Sequence, residues 1–193
     1  MFIQTESTPN PQTLKFLPGR VVLENGTAEF LEPAEAGARS RLAGKLMAVS
    51  GVTAVFFGYD FITVTKDATD WAHLKPAILA AIMEHFLSGE PVMAPTAAGG
   101  ALASDSGEEF FEEGDEAVVS TIKELLDTRV RPAVAQDGGD ITFRGFRDGV
   151  VFLNMRGSCA GCPSSTATLK HGIENLLRHF VPEVEAVEAM EAA

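Results

Sequence analysis

Apolar positions along the first half of the chain alternate or run together over short stretches, then recur at helical spacing. Phe2-Ile3-Gln4-Thr5-Glu6 and Thr13-Leu14-Lys15-Phe16-Leu17 read as strands joined by a Pro-Asn-Pro turn. Leu42, Leu46 and Val49 fall on one helical face, with Gly51 as a stop. Val52–Phe57 and Phe61–Thr65 flank Gly58-Tyr59-Asp60 and predict a β-hairpin. Trp71, Leu74, Ile78, Ile82 and Phe86 mark the buried face of a further helix, with Asp70 as its N-cap. Trp71 and the Phe-rich strands are expected in the core.

The second half shows a different order. Val119, Ile122, Leu126 and Val130 line a helix that should bend or end near Pro132. Asp137-Gly138-Gly139-Asp140 reads as a turn with solvated acids rather than a carboxylate pair. Ile141–Phe146 and Val150–Met155 flank Asp148-Gly149, a strong hairpin signal. Gly157–Pro163 is a loop, and Pro163 suits the first turn of a helix whose apolar face is Leu169, Ile173, Leu176 and Phe180. Pro182 stops that helix, and Val184 and Val187 suggest a short last strand. The predicted order is α-β-β-α-β.

Between the halves, residues 93–113 are rich in Pro, Gly and Ala, and between 96 and 113 there are five acidic side chains and no basic one. Such a stretch cannot build a core and reads as a flexible acidic linker. The expected organisation is therefore two small α+β sandwich domains, 1–92 and 114–193, joined by that linker.

Fifteen basic against twenty-seven acidic residues give a net charge of −12, which sets the chain against phosphate backbones and anionic lipid. No role with nucleic acid or membrane is expected. The longest apolar run, Ala77–Met83, is far shorter than the roughly 20 residues that span a bilayer. The first residues have neither the basic cluster nor the apolar stretch of a targeting signal.

The only two cysteines are Cys159 and Cys162, a C-x-x-C pair in the loop before the last long helix. Unpaired N–H groups and the positive end of a helix dipole favour thiolates there. Glycines at 157 and 161 let the backbone turn tightly. Thiolates are soft ligands, suited to zinc or iron–sulfur units. A closed site of that kind usually takes four ligands, so two chains related by a two-fold would complete it. On spacing alone, a shared cluster, a zinc site and a redox dithiol stand level, although no βαβ pattern surrounds the pair as in a thioredoxin-like dithiol.

Met155-Arg156-Gly157-Ser158-Cys159-Ala160-Gly161-Cys162-Pro163-Ser164-Ser165, continuing to Glu174, resembles the C-terminal domain of NifU, the Nfu-type iron–sulfur scaffold or carrier. Val130-Arg131-Pro132 and Gln136–Ile141 look like the opening of the same domain. Gln4–Pro11 and Leu14–Gly19 are similar to the Nfu N-terminal domain. The resemblance implies a non-enzymatic protein that holds a [4Fe–4S] cluster, or a [2Fe–2S] cluster as the alternative, shared between two chains. It implies Cys159 and Cys162 as ligands, a homodimer when loaded, and upstream assembly proteins and apo iron–sulfur client enzymes as partners. The first domain, without cysteine, is expected to recognise partners. Because the chain starts directly in the first motif, a bacterial cytoplasmic protein is expected, or a mitochondrial matrix one if this is a processed eukaryotic chain.

The remaining features have plainer readings. The histidines, His73, His85, His171 and His179, are expected at the surface or at helix ends. Glu108–Glu116 is a solubilising stretch. Ser158, Ser164, Ser165 and Thr166 could donate to cluster sulfurs, and helix capping accounts equally well for at least one of them.

Overall fold

A computed structural model describes residues 2–95, 109–161 and 163–190. The chain divides into two compact units, Met1–Ser104 and Asp105–Ala193. Most of the expected linker lies outside the described residues. Its two described ends are built into the units: Met93 is buried in the first core, and Phe110 pairs with a strand of the second.

Among the described residues, the first unit is a five-stranded antiparallel sheet packed against helices Pro33–Arg39, Arg41–Met47 and Trp71–Ser88. Its strands are β1 (Gln4–Ser7), β2 (Thr13–Leu17), β3 (Ala28–Phe30), β4 (Val52–Phe57) and β5 (Ile62–Lys66), in the order β1-β2-β5-β4-β3. The β1–β2 turn is tied by the Thr8 hydroxyl, which donates to the carbonyls of Asn10 and Thr13 at 2.8 and 2.9 Å. The expected β4–β5 hairpin is present in antiparallel register. Leu14, Phe16, Phe57, Ile62 and Val64 bury themselves against helices α1 (Pro33–Arg39), α2 (Arg41–Met47) and α3 (Trp71–Ser88).

Caps follow from residue chemistry. The Asp70 carboxylate accepts from the Ala72 N–H at 2.9 Å and starts α3. Ser40 Oγ accepts from the Ala43 N–H at 3.1 Å and donates to the Val92 carbonyl at 2.6 Å, so one hydroxyl both starts α2 and holds the segment after α3. Two elements were not expected. Strand β3 is too short to show a period, and α1 buries only Ala36, so neither leaves an apolar rhythm. Trp71 is half-buried at the rim of the core, where its Nε1 donates to the Pro11 carbonyl at 3.3 Å.

The second unit runs α4 (Glu116–Leu125), a π-helical turn (Leu126–Val130), α5 (Arg131–Gln136), β6 (Gly139–Arg147), β7 (Val150–Gly157), α6 (Pro163–Phe180) and β8 (Ala186–Met190). The order α-β-β-α-β stands. The bend expected near Pro132 is realised as the π turn, a wider coil placed directly before the residue that lacks an N–H. Strands β6 and β7 form an antiparallel hairpin, with Asp148 and Gly149 both at positive φ (50° and 75°), as a two-residue primed turn demands. Strand β8 joins β7 in parallel, so the cysteine loop lies within a β-α-β unit. That corrects the expectation that no such pattern surrounds the pair.

The apolar face of α6 also needs correction. Ile173 and Leu177 are fully buried, whereas Phe180 is 45% exposed beneath the Arg129 guanidinium. Residue 180 stays on the face of Ile173, seven positions on, but it is the last residue of α6 and its ring meets Arg129 instead of the core.

Candidate metal centre

Strand β7 ends at Gly157, and the chain turns into the loop that enters α6. Gly157 and Gly161 have φ of 64° and 78°, the left-handed turns expected of them. Three contacts fix the loop before the helix begins. Ser158 Oγ donates to the Asp137 carbonyl at 2.5 Å, and the Ser158 N–H to the Gly138 carbonyl at 3.3 Å. The Thr166 hydroxyl, on the first turns of α6, donates to the Cys159 carbonyl at 3.0 Å. The Thr166 hydroxyl is thus used on backbone, whereas that of Ser158 bonds backbone and also stands 4.0 Å from the Cys159 sulfur, within sulfur hydrogen-bond reach.

Cys159 is 6% exposed and belongs to the apolar core of this unit. Its sulfur lies over Gly139, the first residue of β6, which is paired with Gly157 across the hairpin. Cys162 lies outside the described residues. Burial pushes the Cys159 thiol up to about 11, against a pull downward from Ser158; the carboxylates of Asp137 and Asp140 add to the rise. The expected helix-end thiolate is therefore not what the loop holds at Cys159. The sulfur is turned into the core, and desolvation outweighs the dipole.

Of the solvated turn expected at Asp137–Asp140, Asp137 and Gly138 form the turn and Asp137 is exposed, but Asp140 departs from it. Asp140 is already in β6, 4% exposed, and its carboxylate takes a two-pronged pair of hydrogen bonds from Arg131 at 2.9 and 3.0 Å. Arg131 also reaches Asp127 at 3.0 Å. These bonds hold the guanidinium charged well above its ordinary range, Asp140 first among them. The signal that could have revealed this is the alternation of Gly139, Ile141 and Phe143, which extends β6 back through Asp140.

His73, His171 and His179 are exposed, as expected. His85 sits in the last turn of α3 yet is fully buried, with neither ring nitrogen hydrogen-bonded, so for it the surface reading fails. Among the described residues no group of three or more His, Cys, Asp or Glu side chains could hold a metal ion. In the acidic stretch, Glu109 pairs with Lys123, and Glu116 accepts from the Gly114 N–H at 3.0 Å.

Residues 3–89 match the family described as scaffold protein Nfu/NifU N terminal, and residues 122–188 match the NifU-like domain. The chain is 54% identical over 190 residues to the human NFU1 iron-sulfur cluster scaffold homolog, mitochondrial, covering 97% of this chain and 71% of that protein. The chain belongs to the Nfu/NifU scaffold family. Within it, the NifU-like protein 4, mitochondrial, of Arabidopsis thaliana is 51% identical over 191 residues, and this chain spans 65% of its length. A solution structure of a NifU-like protein from Saccharomyces cerevisiae is similar at 27% identity and a TM-score of 0.44, covering 49% of this chain and 86% of that one. Both resemblances read from the sequence hold, and the Nfu/NifU family is one of scaffolds, not enzymes. No helix among the described residues is long and apolar enough to cross a membrane.

Proposed function

We propose that this chain is an iron–sulfur cluster scaffold that binds a [4Fe–4S] cluster through Cys159 and Cys162 and passes it to apo-proteins. The observation that carries the proposal is the C-x-x-C loop between β7 and α6 inside a segment that matches the NifU-like domain. The names of the human and plant relatives support the same role. The cluster is cargo. Two thiolates per chain leave a closed site half-filled, so two chains share one cluster, and loading drives dimerisation by mass action.

Iron displaces the thiol proton of Cys159 as it binds. Transfer is ligand exchange: client thiolates replace Cys159 and Cys162 on iron one by one, without net change in electron count. A site split between two subunits opens by their separation, without unfolding either one. The first unit, which has no cysteine, recognises donor or client, and the segment between the units lets the cluster reach it. Thiols stay reduced in both compartments the sequence suggested; the relatives' names speak for mitochondria. A redox dithiol is disfavoured because a matching family and the human relative are named as scaffolds, not thiol oxidoreductases.

Anaerobic reconstitution with ferrous iron and sulfide, followed by iron and sulfide analysis, Mössbauer spectroscopy and sedimentation, tests this. Four irons and four sulfides per dimer, with monomer in the apo form, are expected of a [4Fe–4S] cluster with two thiolates from each chain. A loaded monomer, or a Cys162→Ser variant with undiminished iron and sulfide, overturns it.

A further inference from the structure

The Cys159 sulfur rests where a cluster shared between two chains cannot meet it. It is 6% exposed, belongs to the same apolar core as Val134, Ile141, Met155 and Ile173, and lies in the space left free by Gly139. A thiolate that binds a cluster also held by a second chain must stand at the surface which that chain approaches. To serve as a ligand, Cys159 has to leave this seat.

The loop is built to release it. Gly157 and Gly161 bracket Ser158, Cys159 and Ala160, and both lie at positive φ, 64° and 78°. Glycine crosses between backbone regions at little steric cost, so the chain can pivot at these two positions. Between them the Ala160 N–H donates to the Gly157 carbonyl at 3.1 Å, which ties the intervening residues into one turn. Ser158 and Thr166 fasten that turn to its surroundings. Ser158 holds it to the α5–β6 turn through the Asp137 and Gly138 carbonyls, at 2.5 and 3.3 Å. Thr166, on α6, holds the ligand residue itself, its hydroxyl donating to the Cys159 carbonyl at 3.0 Å.

We propose that Ser158–Ala160 is a flap with Gly157 and Gly161 as hinges and Thr166 as its latch. Closed, it stores the Cys159 sulfur over Gly139; open, it presents that sulfur to the cluster. The inference rests on the cluster-scaffold reading and adds to it a positioning residue, Thr166, that makes no bond to iron. A single side-chain bond to backbone suits a latch, because its loss shifts a local opening equilibrium without unfolding the unit. Loading then proceeds through the open fraction, and whatever raises that fraction speeds it.

Alkylation of Cys159 by iodoacetamide in the full-length Cys162→Ser protein reads the flap without iron. Its rate, divided by that of the urea-unfolded chain, gives the open fraction. A flap exposes little surface, so this fraction should stay nearly flat as urea is raised below the unfolding transition. Thr166→Val keeps the shape and loses the hydroxyl. It should raise the open fraction about two- to tenfold, the range for one hydrogen bond. Thr166→Ser, which keeps the hydroxyl, should return it close to the wild-type value. In chains with both cysteines, anaerobic reconstitution with ferrous iron and sulfide should run faster in Thr166→Val by a similar factor.

An open fraction that climbs with urea along the full slope of global unfolding overturns the inference, because the thiol is then reached only when the unit unfolds. So does a Thr166→Val chain that alkylates no faster than the wild type, or one that alkylates faster and loads at the wild-type rate. If Thr166→Val does not fold, the urea dependence in the Cys162→Ser protein carries the test. A chain whose flap opens as described but that takes up no iron and sulfide overturns the scaffold reading instead, an outcome distinct from the others.

Discussion

A methyl group on Gly139 would stand 2.6 Å from the Sγ of Cys159 and 2.7 Å from the Arg156 carbonyl oxygen. Real side-chain carbons do not approach that closely, and the carbonyl is part of the β7 ladder and cannot retreat. The missing side chain at 139 is thus the space in which the Cys159 sulfur lies.

Gly139→Ala should therefore push the sulfur out of its seat. The expected cost in apo stability is about 1–3 kcal/mol, the range for inserting a methyl into a packed site. Alkylation of Cys159, followed in a Cys162→Ser background, should speed up, and iron retention in the otherwise wild-type chain should fall. Unchanged alkylation kinetics would mean that the loop accommodates the methyl without moving the thiol.

Burial of Cys159 also changes what a ligand substitution does. A ligand at the solvent edge could be replaced without loss of stability, but this one is part of a core with Val134, Ile141, Met155 and Ile173. Cys159→Ser places a hydroxyl in apolar surroundings, at a cost of about 1–3 kcal/mol where no partner is found. Cys159→Ala should be milder, since it removes a sulfur without adding a polar group. Urea unfolding of the two apo variants should rank them alanine above serine. The opposite order would show that the serine hydroxyl finds a partner in the loop.

What the sequence made legible was whatever a period or a turn dipeptide encodes. The β4–β5 and β6–β7 hairpins, α3 with its Asp70 cap, and the order of the second unit all carry such signals. The loop of Cys159 was legible because two glycines and a helix-starting proline bracket it. Pairings between distant residues were not. Asp140 carries the same letters whether it is a solvated turn acid or the buried partner of Arg131, and only the π turn before Pro132 aims that arginine at it. The direction of the Cys159 side chain was equally hidden, because it depends on a glycine twenty residues upstream. Strand β3 escaped for a simpler reason: three residues hold no period.

The strap ahead of α4 makes a further prediction. Phe110 donates its N–H to the Arg144 carbonyl at 3.1 Å and accepts from the Phe146 N–H at 2.8 Å, beside the β6 bulge between Phe143 and Gly145. Its ring lies on Gly145, 5.2 Å from the Phe152 ring and beneath Arg147. Because a Cβ at 145 would stand 2.5 Å from that ring, Gly145→Ala should dislodge the strap. Phe110→Ala should weaken the same contact by removing the ring. Limited proteolysis near residues 109–111 and hydrogen exchange at the Phe146 amide should both accelerate in each variant. Protection equal to the wild type in Gly145→Ala would show that the backbone pairing holds without the ring's seat.

The last prediction concerns His85 and acid. It is fully buried near the end of α3 with both ring nitrogens unbonded, and burial lowers its pKa from the ordinary 6.5. Glu90 acts the other way, while Lys45 and Arg41 add to the lowering. These are not spectators, since Arg41 pairs with Glu90 and Lys45 with Glu84 at 2.9 Å, so little free negative charge is left for an imidazolium. The folded protein therefore keeps His85 neutral at pH values where the unfolded chain has protonated it. Above the unfolded pKa of about 6.5 the two states bind the same number of protons at this site, and it leaves stability independent of pH. As the pH falls below that value the unfolded state binds more, and stability drops until the lowered folded pKa is passed. Replacing His85 by Leu removes the ionisable group and the two unbonded nitrogens together. The variant should match or exceed the wild type at neutral pH, and its advantage should widen between pH 6.5 and 5. Urea unfolding of the full-length apo protein at a series of pH values, followed at Trp71, measures that difference. A gap that stays constant through this range would mean that His85 acquires its proton in the folded state as readily as in the unfolded one, and that its burial imposes no acid sensitivity.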